Sequence, residues 1–119
     1  MINPPKHLRV PIHVVFYQEA QRWLAHCLEF DLIGDGDSRS DALVNLTEAI
    51  EIQVAFSIEN NNLSNLFAPA DGKYFEMYAA GDDVSSDTPE WSAMIGSFKG
   101  ANSMVTDVTI REYHYLATV

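Results

Sequence analysis

Residues 22–50 read RWLAHCLEFDLIGDGDSRSDALVNLTEAI, and they decide the fold. Arg22 to Phe30 is a strand-like run, Asp31 to Asp37 is a short polar connection with two glycines, and Ser38 opens a helix. Ser38-Arg39-Ser40-Asp41 has the spacing of a capping box, with the Ser38 hydroxyl accepting from the backbone three residues on and Asp41 reaching back. Asp35, Asp37 and Asp41 lie where the helix dipole favours negative charge. From there Ala42, Leu43, Leu46, Ala49, Ile50 and Val54 recur at helical spacing and mark one apolar stripe. The helix is expected to run to about Glu59, before Asn60, Asn61 and Asn62.

Upstream, Leu8, Val10, Ile12, Val14 and Phe16 alternate with Arg9, Pro11, His13, Val15 and Tyr17, the period of a strand. Glu19 to Gln21 makes the turn of a hairpin with 22–30. Pro11 cannot donate a ladder hydrogen bond, so the first strand is an edge there or irregular there. A brief third strand is expected around Leu32 to Gly34. Downstream, Asp71 to Ala80 is read as a short helix, with a strand as the alternative. Gly81 to Asn102 is read as a loop with one turn at Glu90 to Phe98, and Met104 to Leu116 as a final strand rich in β-formers. The expected fold is α+β: an antiparallel sheet of three to four strands with one long helix packed on one face, in the order βββα, then a C-terminal extension and the final strand. Residues 8–17, 22–30 and 104–116 are expected in one antiparallel sheet, in a single domain spanning 1–119.

Composition narrows the function classes. Seven basic residues stand against seventeen acidic ones among 119, for a formal charge of −10, and the halves 1–60 and 61–119 contribute equally. Phosphate binding rests on clustered Lys and Arg, and there is no such cluster, so direct nucleic-acid binding is not expected. An acidic surface favours encounter with a basic partner. Cys27 is the only cysteine, which fits a reducing cytoplasm. No apolar run approaches the length of a membrane span, and Met1 to Val10 has no signal-type apolar core.

The residues Trp23-Leu24-Ala25-His26-Cys27-Leu28, Gly36-Asp37-Ser38, Asp41-Ala42-Leu43, Asn45-Leu46 and Glu48-Ala49-Ile50 resemble the HicB-like antitoxin domain in their order and spacing. That family shows an aromatic and a small apolar residue in strand two, a Gly-Asp-Thr-like turn, and a helix with a Glu-Ala-Leu…Leu…Glu-Ala-Ile pattern. The resemblance covers residues 10–59; residues 60–119 are a C-terminal extension. It implies a three-strand, helix, strand order, often described as a partial RNase H-like fold, and a HicA-like partner, a small basic RNA-cleaving toxin. Here Ser38 stands for the usual Thr, residues 29–34 lack the customary prolines, and residues 60–119 contain no basic recognition helix.

Candidate chemistry is sparse. Glu29, Asp31, Asp35 and Asp37 fall within nine residues, and carboxylates of this kind hold Mg²⁺ in RNase H-like nucleases. The alternative is a solvated turn with helix N-terminal charges. His26 and Cys27 are adjacent in a strand, point to opposite faces and make a poor metal pair. Cys27 with Trp23 and Ala25 should face the helix, leaving His26 on the other face with Leu24 and Leu28. His13 and His114, in separate strands, are candidates to meet on that second face. No catalytic set, cofactor site or metal site is assigned. The partner-binding candidates are Leu24, His26, Leu28, Tyr113 and Tyr115, the tyrosines because interfaces are enriched in them. Val44, Ile52, Ala55 and Ile58 lie off the main helical stripe and call for a second cover, so a homodimer through the helix back or through strand 104–116 is expected. The expected function is an antitoxin-type binding protein acting by protein–protein contact. A Mg²⁺-dependent nuclease on the same sheet, and a regulatory or ligand-binding module without toxin binding, are the alternatives.

Overall fold

A computed structural model of the chain describes residues 10–62, 66–84 and 105–114. Strand β1 (Val10–Glu19) turns back into β2 (Arg22–Cys27), followed by β3 (Leu32–Gly36). Helix α1 (Arg39–Glu59), the short α2 (Gly72–Ala80), the two-residue β4 (Asp82–Asp83) and β5 (Val105–Glu112) complete the order. Among the described residues no helix is long and apolar enough to cross a membrane.

The β1–β2 turn is as tight as a hairpin allows. Glu19 pairs with Arg22, so only Ala20 and Gln21 lie between, at φ 49° and 67°. Positive φ at both positions matches the twist of the flanking strands, which ordinary turns do not. The β2–β3 connection uses the same device once, with Asp31 at φ 53°. Strand β2 therefore stops at Cys27, earlier than the expected Phe30, and β3 extends to Gly36, beyond the expected Gly34.

Among the described residues the sheet has five strands in the order β3-β2-β1-β5-β4. The three N-terminal strands pair antiparallel as expected. The last long strand departs from expectation: β5 runs parallel to β1, with Ile12 opposite Val108 and Val14 opposite Ile110. The sheet is therefore mixed. Strand β3 runs in the direction of β1; after α1, α2 and β4, strand β5 enters parallel to β1 and antiparallel to β4. Pro11 sits at a register shift between Val10 and Pro11, the irregularity its missing N–H predicts, and the β2 ladder begins only at Val14.

Alternation along β1 and β2 divides two cores. Ile12, Val14 and Phe16 with Ala25 and Cys27 face α1, where Ala42, Leu43, Leu46 and Ile50 close over them. Trp23 joins at the rim, and Val108 and Ile110 of β5 lie beside β1. Fully burying such side chains contributes about 1.5–3 kcal/mol each, so this stripe holds α1 to the sheet. Ser38 caps the helix as expected: its Oγ accepts from the Asp41 N–H at 3.1 Å. Val15, Tyr17 and Leu28 face the opposite side, where α2 brings Tyr74, Met77 and Tyr78. Residues 72–80 are thus helix, and the strand alternative falls. Arg111 of β5 fastens the end of α2 by donating to the carbonyls of Tyr78 and Ala79, each at 3.3 Å.

Strand β3 lies so close under α1 that no side chain fits between them. A Cβ at Gly36 would come within 2.7 Å of Ala42 N, and one at Gly34 within 2.7 Å of Leu46 Cα. Both glycines share the helix-facing side with Leu32 and alternate with Ile33 and Asp35, as close backbone approach requires. The expected starts at Leu8 and Met104, the turn at 90–98 and the strand end at Leu116 lie outside the described residues.

Candidate functional site

The division of faces holds for strand two: Trp23, Ala25 and Cys27 turn to α1, while Leu24, His26 and Leu28 turn to the other side. That other side is not a free surface. His26 and Leu28 are buried, at 1% and 0% exposure, and Leu24 is half-buried. The chain's own α2 covers them with Tyr74, Met77 and Tyr78, and Tyr113 packs in the same cluster. Of the expected partner-binding residues, His26 and Leu28 therefore lie in an internal layer, and Leu24 and Tyr113 are half-buried against it. The apolar face that suggested an interface is satisfied by an amphipathic helix from the extension. Tyr115 lies outside the described residues.

His26 is the polar centre of this layer. Its Nδ1 lies 2.9 Å from the Tyr17 hydroxyl and its Nε2 2.7 Å from Asp31 Oδ1. In the tautomer that donates Nε2–H to the carboxylate, Nδ1 accepts the tyrosine proton, and both ring nitrogens are satisfied. The Tyr74 ring lies 4.4 Å from the imidazole and stacks on Tyr17 at 5.9 Å. A second histidine uses the same chemistry nearby in the chain. Glu29 accepts from the backbone N–H of His13 at 2.7 Å and meets His13 Nδ1 at 2.6 Å. His13 and His114 do not meet: His13 lies against Tyr78 of α2, whereas His114 pairs with Glu112, which bonds Arg39 on the α1 side.

The four clustered carboxylates are divided rather than converged. Glu29 takes His13, Asp31 takes His26, and Asp35 and Asp37 share Arg22 at 2.8 and 2.5 Å. Hydrogen bonding to Arg22, reinforced by its charge, holds the Asp35 carboxyl below the usual aspartate range. Among the described residues no three His, Cys, Asp or Glu side chains gather as metal ligands. The Cys27 thiol is buried and is pushed up to about 12, chiefly by desolvation, so at neutral pH it is an inert core group.

Among the described residues the three most exposed large apolar side chains lie instead on α1. Val44, Ile52 and Phe56 are 46%, 69% and 59% exposed. Spacings of four and eight place them on one line with Glu48, and Glu51 and Glu59 flank it on the solvent side. Val44 and Ile52 were marked by lying off the core stripe. Phe56 was not, although its place one turn beyond Ile52 carries the same signal. Arg22 carries no motif, and Asn45 belongs to the Asn45-Leu46 piece of the resemblance; the part that each plays in organising the acidic turn emerges only from the folded geometry. Comparison of the chain with family models, with curated proteins and with solved structures found no match.

Proposed function

We propose that this chain is a HicB-like, antitoxin-type binding protein that works in the cytoplasm by protein–protein contact, holding a small basic RNA-cleaving partner against the exposed side of α1. The observation that carries the reading is the row Val44, Ile52 and Phe56 with Glu48 between its members. Burying three such side chains supplies affinity at about 1.5–3 kcal/mol for each one fully covered. Glu48, Glu51 and Glu59 supply steering toward a cationic surface, which acts chiefly on association rate and partner choice.

Two further observations support it. The order of three strands, a helix and a later strand is the order that the resemblance implies. The division of Glu29, Asp31, Asp35 and Asp37 among separate basic partners favours binding over metal-assisted hydrolysis, which needs carboxylates converging on one ion. In the absence of its partner, the same α1 row is free to pair two copies of the chain, which is how we read the expected homodimer.

The test is co-expression with the protein encoded by the adjacent reading frame. The expected result is a short basic neighbour whose expression arrests growth, relief of that arrest by this chain, and loss of relief with Phe56→Asp or Ile52→Asp. Relief undiminished by both substitutions, or a neighbour that is neither short nor basic, overturns the reading.

A further inference from the structure

Among the described residues the sheet ends on β3. Its one hydrogen-bonded neighbour is β2, and among the described residues no strand lies along its other side. In an antiparallel ladder each residue sends its N–H and C=O to the same side, and successive residues alternate. The Asp35 carbonyl is held by Asn45 Nδ2 of α1 at 2.6 Å, which turns the Asp35 backbone away from β2. Alternation then turns the Ile33 backbone outward as well. Ile33 also leaves its side chain 45% exposed beside that edge. Directly alongside, Arg22, Gly36, Asp37, Asp41, Val44 and Asn45 line an open pocket of about 300 Å³.

We propose that the open edge of β3 docks an extended basic segment of a partner protein, which adds to the sheet as a further strand and places a Lys or Arg side chain in this pocket. The inference rests on the reading of the chain as a binder of a basic protein, and it names the surface and the mode. Main-chain pairing along Ile33 and Asp35 gives affinity, and the neighbouring pocket gives selectivity, the division of labour common to strand addition. The pocket suits a long cationic side chain. Val44 offers an apolar wall for its methylenes, and Asp37 and Asp41 offer carboxylates for its head. The one cation there, Arg22, already divides itself between Asp35 and Asp37.

Charge selects this occupant over a second copy of the chain. Two β3 strands paired antiparallel about Gly34 would bring Asp37 of each towards Asp31 of the other just beyond the strand ends, between molecules of formal charge −10. Like charges placed opposite one another destabilise a strand pair. Asn45 has a definite part in the scheme. Its amide occupies the Asp35 carbonyl, the acceptor that an incoming strand would use, so it guards the edge until a partner arrives.

The experiment is an NMR titration of the isotopically labelled full chain with an acetylated, amidated Lys-Val-Lys-Val-Lys-Val peptide. The expected result is shifts centred on the amides of Ile33, Asp35 and Gly36, with slowed exchange at Ile33 and Asp35. Asp37→Lys, at an exposed site, should weaken the peptide about tenfold by turning an attraction into a repulsion. Asn45→Ala should strengthen it several-fold by freeing the acceptor. Equal binding by a peptide with Glu for Lys, or by one with alternate backbone amides N-methylated, overturns the proposal. So do shifts confined to Ile52 and Phe56, no shifts at all, or contacts between two copies across Gly34. Failure here is separable from failure of the function: a neighbouring basic protein neutralised through Phe56 with β3 unperturbed sinks only the strand docking. Peptide pairing at β3 without any such neighbour sinks only the antitoxin reading.

Discussion

Gly34 of β3 and Leu46 of α1 meet backbone to backbone, with space for no atom beyond the Gly34 hydrogens. A Cβ there would collide with Leu46 N and the Ala42 carbonyl oxygen and sit 2.7 Å from Leu46 Cα. None of these is a side chain able to swing aside. Gly34→Ala is expected to cost about 3 kcal/mol, the upper end for overpacking, because α1 must lift from the sheet. A urea midpoint equal to that of the wild type would show that the helix does not lie so close.

Ser38→Ala removes the acceptor for the Asp41 N–H and should cost about 1 kcal/mol. Binding of a partner to the middle of α1 should survive it, since the change lies before the helix. Denaturation midpoints measured side by side decide the point, and coincident curves would mean that the cap contributes nothing.

Tyr17→Phe keeps the ring stacked on Tyr74 but strips the buried His26 of its partner at Nδ1. Leaving a buried polar group unsatisfied costs about 1–3 kcal/mol, so the phenylalanine variant should be clearly less stable although it loses only one atom. A calorimetric midpoint unchanged within error would place the hydroxyl outside the network.

Cys27 should resist iodoacetamide at pH 8 in the folded chain and react readily in denaturant. Its ionisation lies near 12 in the fold against an ordinary 9.0. Burial suppresses ionisation and so favours the protonated thiol in the fold; the stability that goes with it is present below pH 9.0 and is lost as pH rises from there towards 12. Complete alkylation of native protein at pH 8, as fast as that of the unfolded chain, would contradict the burial.

The purified chain, without a partner, should show a dimer mass by light scattering at micromolar concentration. Phe56→Asp should return it to the monomer by placing a charge in the apolar row of α1. A monomer mass for the wild type that does not change with concentration refutes pairing through this helix.

The legibility of these features differs for physical reasons. The hairpin, the capped helix and the two faces of strand two were readable because each follows from local periodicity: a period of two around Ile12 to Phe16, and helical spacing through Leu43, Leu46 and Ile50. The direction of β5 was not, because Val108 and Ile110 alternate identically in a parallel or an antiparallel pair. Strand content fixes neither the partner nor the direction. The close approach of α1 at Gly34 and Gly36 was not readable either, since a glycine that admits a helix and a glycine that bends a loop are the same letter. Leu24, His26 and Leu28 looked like interface for a related reason. An apolar face needs a cover, and the sequence of the strand is silent on whether that cover is another protein or the chain's own Tyr74, Met77 and Tyr78.

The manner in which α2 supplies that cover sets an order of opening. Helix α2 contains no fully buried residue, and α1 contains five. Local unfolding begins where few apolar contacts must be surrendered, so the nine residues of α2 should form the first cooperative unit to detach, ahead of the α1 layer. In native-state hydrogen exchange the amides of α2 should then lose protection at low denaturant while those of Leu46 and Ile50 still report global unfolding. The detached state would retain the β1–β2–β3–α1 body and uncover Leu24, Leu28 and the imidazole of His26. The chain thus carries, one opening step above its ground state, a second apolar surface that the folded molecule keeps shut.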